Sequence, residues 1–194
     1  LQSGLVPNFA RWADFIAGSE VPKEEQDRVN NELDEVTDYV FEVIQNSNFG
    51  QEVHESFMDL AVGTGVMLVE EGDAINPIRF NAIPLPSVYL TTGHDDKIDH
   101  VYRERTLKYS QLRIAYPNGE YSPSQVTAMA NDPNKEVKIL EVVCRNYDKI
   151  NEEQHDYFVI DVNERTVILH ELFTGAGSSP YICYRWSKAS GEIY

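Results

Sequence analysis

The run Met58-Asp59-Leu60-Ala61-Val62-Gly63-Thr64-Gly65-Val66-Met67-Leu68-Val69 is where the chain changes character. Upstream of it, apolar residues recur every three or four positions, the period of a helix with one buried face. Downstream, they come in short runs bounded by Gly, Pro, Asn and Asp, the pattern of strands and turns. Gly63-Thr64-Gly65 ends the last front helix, and Val66 to Val69 opens the first strand. The reading is α+β, with an N-terminal antiparallel helix pair packed with a mostly antiparallel β-rich region.

Working back from the junction, Val53, Phe57, Leu60 and Ala61 form the buried face of a helix that starts near Phe49. Asn48 is its expected N-cap, with Gln51 three residues on as the reciprocal partner. Asn46, Ser47, Asn48 and Gly50 break it from a longer helix before it. There Val29, Leu33, Val36, Val40, Val43 and Ile44 make an apolar stripe. Glu24 and Glu25 in its first turn suit the positive end of the helix dipole. The stretch from Glu20 to Glu42 holds nine acids against Lys23 and Arg28, a local charge of −7.

Working forward, strands are expected at Arg79 to Ile83, Val88 to Thr91, Lys97 to Leu107, Val137 to Asn146, Asp156 to Val162, Thr166 to Leu172 and Tyr181 to Trp186. Gly93-His94-Asp95-Asp96 and Asn163-Glu164-Arg165 read as hairpin turns. Two short helices interrupt the strands. One runs from Tyr109 to Tyr116, and one opens at Ser122-Pro123-Ser124-Gln125, a capping box with Pro at the first helical position. The helical part is residues 1–65 and the β-rich part residues 66–194, read together as a single domain.

The 194 residues are 42% hydrophobic and 25% charged, an ordinary globular balance. No run approaches the ~18 apolar residues of a membrane span, and the first twenty residues carry Arg11, Asp14 and Glu20 and do not read as a signal peptide. Cys144 and Cys183 form no CxxC motif and are expected to be reduced and largely buried. With 32 acids against 16 Lys and Arg, the net charge is −16. Phosphate neutralisation by cations supplies most nucleic-acid affinity, so this balance argues against a DNA-gripping protein and against anionic membranes.

Catalytic motifs are scarce. Gly63-Thr64-Gly65 follows a helix instead of preceding one and lacks the third glycine of a dinucleotide loop, so close packing explains it better. Ser178 lies in a small-residue loop without the strand-to-helix elbow of a nucleophile. His94, Asp95, Asp96, Asp99 and His100 are the one ligand-rich cluster. They leave open a metal-dependent hydrolase, although Asp99 and His100 are strand neighbours expected to face opposite ways. Arg103, Arg105, Lys108 and Arg113 form the basic concentration. Arg103 and Arg105 share a strand face, placed to ion-pair with the acidic helix of this chain or of a neighbour. Charge reversal at Arg103 and Arg105 is then expected to weaken assembly. A second open reading is an acidic interaction module for a basic partner.

The C-terminal stretch adds a resemblance. Pro180-Tyr181-Ile182 leads into Arg185-Trp186-x-Lys188-x-x-Gly191-Glu192-x-Tyr194. Leu1-x-Ser3-Gly4-Leu5-x-Pro7, Trp12, Gly63-x-Gly65 and Ile98-Asp99-x-Val101-Tyr102-Arg103 follow in matching order. Together they resemble the head-to-tail connector (portal) proteins of short-tailed bacteriophages, with Arg185, Trp186, Gly191, Glu192 and Tyr194 as the structural signature. The resemblance implies a structural virion protein of a phage or prophage, with no enzymatic activity and no cofactor. It would be a ring, usually dodecameric, at a capsid vertex, assembled in the host cytoplasm. Genome DNA would be packaged and ejected through the ring without specific binding. Terminase, capsid or scaffold, and tail proteins would be its partners. Residues 1–194 would be the wing-like domain of a longer protein, with stem, clip and tunnel outside it. Arg103, Arg105 and Lys108 become the candidate subunit-interface residues.

Overall fold

The computed structural model describes residues 10–94, 96–149 and 152–185. Two helices lead, α1 (Lys23–Asn46) and α2 (Phe49–Leu60). They are followed by strands β1 (Thr64–Glu71), β2 (Ile78–Ala82), β3 (Val88–Thr92) and β4 (Ile98–Lys108). Helices α3 (Tyr109–Ala115) and α4 (Pro123–Asn131) come next. Strands β5 (Glu136–Arg145), β6 (Gln154–Asp161), β7 (Thr166–Thr174) and β8 (Tyr181–Arg185) complete the described chain. The fold is α+β, as the periodicities dictate.

The strands divide into two antiparallel sheets. A three-stranded sheet has the order β2-β1-β8, and a five-stranded meander runs β3-β4-β5-β6-β7. The hairpin turns fall where the polar clusters placed them. Asp96 and Arg165 each take a positive φ, near 60° and 55°, which the tight β3–β4 and β6–β7 turns require. The last strand returns to the first, with Thr64 opposite Arg185 and Leu68 opposite Tyr181.

The continuous apolar run of β1 reflects burial on both faces. Val66 and Leu68 point to the large sheet and join Ile83, Leu90, Val101, Val143 and Tyr181. Met67 points the other way, to Val53 of α2 and Phe80 of β2. The small sheet is therefore a middle layer between α2 and one half of the large sheet. Helices α3 and α4 cover the other half, where Leu112, Tyr116, Val137, Ile139, Val159 and Ile168 close a third cluster.

The helix entry differs from expectation. Asn48 stands at the N-cap of α2 but makes no capping bond. Its amide instead donates to the Phe80 carbonyl (2.7 Å) and accepts from the Phe80 N–H (3.0 Å). The Ser47 hydroxyl takes the capping role, accepting from the Phe49 N–H (3.1 Å). One turn on, Glu52 accepts from the Ala82 N–H (2.7 Å), and Asp59 from that of Leu85 (3.0 Å). Asn48, Glu52 and Asp59 lie on one side of α2; the first two run along the outer edge of β2 and satisfy groups that would otherwise template another strand, and Asp59 holds the 3-10 turn that follows it. At α4 the expected capping box is made, with Ser122 and Gln125 bonding reciprocally.

Gly65 confirms the packing reading of the glycine pair. A Cβ there would lie 2.6 Å from the Tyr184 ring and 3.0 Å from the Ser56 hydroxyl. The stripe of α1 is corrected in detail. Thr37 and Phe41 are its buried residues, while Val36 is 49% exposed. The reason is the segment ahead of the helix. Trp12 packs on Phe41 and Phe49, the Phe15 N–H donates to Thr37 Oγ1 (3.2 Å), and Arg11 binds Asp14, Asp34 and Asp38. This strap covers the Thr37–Phe41 side, not the valine side.

Candidate functional site

Strand β5 alternates Val137, Ile139, Glu141 and Val143 on its inner face, and β4 places Val101, Arg103, Arg105 and Leu107 on the same face. The register puts Arg103 directly opposite Glu141. Glu141 thus sits on the core side of the central strand, between the cluster under the small sheet and the one under α3 and α4. It is 2% exposed.

Its two oxygens are fully engaged. Oε1 accepts from Arg105 Nη1 (2.8 Å) and the Tyr116 hydroxyl (2.7 Å). Oε2 accepts from Arg103 Nη1 (3.3 Å) and the Tyr181 hydroxyl (2.9 Å). Four elements (β4, β5, β8 and the end of α3) are tied to one carboxylate. Burial alone would raise the Glu141 pKa, but Arg103, Arg105 and the Tyr116 hydroxyl outweigh it and hold the group below its ordinary value. Burial, reinforced by Glu141, pushes Tyr116 and Tyr181 well up, so both hydroxyls keep their protons and donate.

The sign of the pH dependence follows. A carboxyl held below its ordinary value of 4.5 binds fewer protons folded than unfolded. Its contribution to stability is complete above that value and is lost as pH falls through the folded value. The difference in urea midpoint between the natural protein and Glu141→Gln should therefore be constant above about pH 5 and shrink below about pH 4. A difference that grows on acidification would contradict the assignment.

Arg105 and Glu141 also line a cleft of about 650 Å³ between the β1–β2 hairpin, the large sheet and α3. Glu70, Glu71, Arg79, Asn81, Gln111, Tyr116, Asn118, Tyr157 and Glu171 also line its polar wall. Among the described residues, neither Ser, Thr, Cys, Lys nor His lines it. Its one buried carboxylate is too acidic and too fully bonded to act as a base near neutral pH. The arrangement locks the two halves of the sheet together.

The other expected candidates lie elsewhere. Asp99 binds His100 Nδ1 (2.6 Å) and the Tyr147 hydroxyl, so the strand neighbours expected to face apart are bonded to each other. Among the described residues no group of three or more His, Cys, Asp or Glu could hold a metal; Asp95 lies outside them. The Ser178 hydroxyl donates to the Phe173 carbonyl (3.2 Å) and lies 3.1 Å from His155 Nδ1, which is turned into the fold. Cys144 and Cys183 are free thiols. Burial pushes Cys183 up to about 12 and raises Cys144 as well, so both stay protonated at neutral pH.

Arg103 and Arg105 pair inside the chain, as the shared face suggested, but with Glu141 and not with the acidic helix. Reversing them would strike the core, so the charge reversal expected to report on assembly reports on folding instead. Lys108 is exposed at the end of β4. Arg185 closes β8 and donates to the Asp96 carbonyl (3.1 Å). Trp186, Gly191, Glu192 and Tyr194 lie outside the described residues. Sequence reading missed Glu141; an acid on the apolar side of a strand was a legible signal, but only the sheet register shows which cations it meets.

A search of curated proteins returns no match. A family model described as bacteriophage head to tail connecting protein matches residues 1–194. The chain belongs to that family, structural components of the phage virion that meet other head and tail components at the junction between the two.

Proposed function

We propose that residues 1–194 are the wing-like domain of a portal subunit, with the stem, clip and tunnel outside this stretch. Twelve subunits form the ring at the capsid vertex, through which the genome is packaged and later ejected. Terminase docks during packaging and tail proteins afterwards, the capsid or scaffold holds the rim, and assembly takes place in the host cytoplasm. The subunit catalyses nothing and carries no cofactor. The observation that carries this reading is the family match over all 194 residues.

Two features support it. A net charge of −16 disfavours tight phosphate contacts, which would add salt-dependent drag to moving DNA. The Glu141 cluster joins both sheets and α3 into one unit able to bear load. Of the three candidate interface residues, Lys108 is the one placed to meet a neighbour, while Arg103 and Arg105 act from inside by fixing the sheet behind it. The Arg185, Trp186, Gly191, Glu192 and Tyr194 signature is read as structural.

The test is the mass of the natural full-length protein by light scattering, with negative-stain images of the same peak. A ring with a central hole is expected. A monomer or dimer across several salt concentrations would overturn the reading.

A further inference from the structure

From Ala10 to Pro22 the chain forms neither helix nor strand. Residues 10–17, the strap, run back along α1 and antiparallel to it. Arg11 binds Asp34 and Asp38, the Phe15 N–H donates to Thr37 Oγ1 (3.2 Å), and the Ala17 N–H donates to Asn30 Oδ1 (2.8 Å). Trp12 meets Phe41 edge-on at 5.2 Å and stacks on Phe49 at 6.2 Å. None of the strap residues joins a core cluster. A turn at Gly18–Val21 connects the strap to α1, and one backbone hydrogen bond closes it, from the Val21 N–H to the Gly18 carbonyl (3.1 Å).

This turn stands at the tip of an arm. Helix α1 is 24 residues long, and its C-terminal end reaches the α2–β2 cluster through Ile44. From Lys23 to Val36 no residue is buried and none joins a core cluster. At 1.5 Å per residue, Lys23 lies about 31 Å from Ile44. The first half of the helix therefore projects from the body and carries the turn at its far end. Folded back on its own chain, the strap leaves Phe15 51% and Ile16 76% exposed.

From this placement we infer that the strap is exchanged: residues 10–17 of one subunit lie in the Asn30–Asp34–Thr37–Phe41 groove on α1 of the next. The inference rests on the ring reading above and names its contact. The occupant that fits the groove is in view, and every copy of the chain offers it the same partners. Straightening Gly18–Val21 breaks one backbone hydrogen bond, and each contact of the strap is remade on the neighbour. The reach suffices. Five residues, Gly18 to Pro22, span about 17 Å when extended, more than the ~10 Å between the axes of two helices packed side by side. Closed and exchanged straps make the same contacts, so the choice falls to what the crossing adds. Two arms brought together give Phe15 and Ile16 a second helix to lie against. Passing the strap from each subunit to the next gives every copy one donor and one acceptor end, as a head-to-tail ring requires. It also gives the acids of α1 a task, since Asp34 and Asp38 receive the neighbour's guanidinium.

The experiment is a cross-link in the full-length protein carrying Ala17→Cys and Asn30→Cys, which flank one strap–helix hydrogen bond. A short bismaleimide joins the two thiols, and each single-cysteine variant sets the background. Burial keeps Cys144 and Cys183 protonated and poor nucleophiles. On a denaturing gel an exchanged strap gives a ladder of covalent multimers. A cross-linked monomer alone would overturn the exchange. Arg11→Gln gives an independent reading, with an unchanged circular-dichroism spectrum showing that the fold is kept. If the strap is exchanged, this variant should raise the concentration at which the ring dissociates about tenfold or more. In a closed subunit it loosens the strap and leaves the ring as it was, so a ring of ordinary stability also counts against the exchange. A natural protein that forms no ring in light scattering would instead sink the ring reading itself.

Discussion

Glu141→Leu should cost about 3–5 kcal/mol in urea unfolding, the range for removing one partner of a buried ion cluster. The size of the effect comes from what remains. Arg103 and Arg105 would be left side by side on one face of β4 with no carboxylate to pair them, and the Tyr116 and Tyr181 hydroxyls would lose their acceptor. Each stranded donor adds its own desolvation cost. The cluster itself is not a large net source of stability, because its attractive energy first has to offset the dehydration of three charges. Replacing all three together, Glu141→Leu with Arg103→Met and Arg105→Met, should therefore recover most of the loss. If the triple variant is as unstable as the single one, then specific geometry at this carboxylate, not uncompensated charge, accounts for the cost.

Leu112→Ala should cost about 2–5 kcal/mol, the lost transfer energy plus a cavity term. Leu112 is fully buried in the cluster that holds α3 against Val137, Ile139, Val159 and Ile168. A helix of seven residues does not persist on its own. Its place depends on Leu112, Tyr109 and Tyr116, together with the Tyr121 hydroxyl, which donates to the Leu112 carbonyl (3.0 Å). Loosening α3 also loosens Tyr116, one of the four donors to Glu141. Leu112→Ala and Glu141→Leu should then combine to less than the sum of their separate costs. Strict additivity in a double-mutant cycle would show that α3 and the ion cluster are independent.

Most of the element order was legible because local rules and tertiary structure agree. Asn163-Glu164-Arg165 turns a hairpin, Ser122 and Gln125 cap α4, and the Val66 to Val69 run is a strand buried on both sides. Legibility failed where a residue serves something distant in sequence. Asn48 has the chemistry of a helix cap, yet Phe80 competes for its amide and wins with two bonds. The valine stripe of α1 has the period of a core-facing helix, but nothing local says that a strap will bury Thr37 and Phe41 and leave Val36 exposed and the other valines half-buried. Arg103 and Arg105 look like surface cations until the sheet register brings Glu141 between them. Their shared face was readable from period two, but their partner was not.

The return of β8 to β1 has a consequence for how the protein is made. Tyr184 reaches back to the Ser56 hydroxyl, 128 residues earlier in the chain. A nascent chain that has released α2, β1 and β2 still lacks the strand that completes the middle layer. Until β8 leaves the ribosome, one edge of β1 is unpaired and the Val66–Leu68 face lacks Tyr181, although α2 and Phe80 already cover Met67. Closing so long a loop is entropically costly and slow compared with the hairpins of the large sheet. The five-stranded meander, all neighbour-to-neighbour, is free to form first and wait. Maturation of the subunit is thus timed by its last described strand, and a stalled or truncated chain would present a sticky intermediate for chaperones to hold.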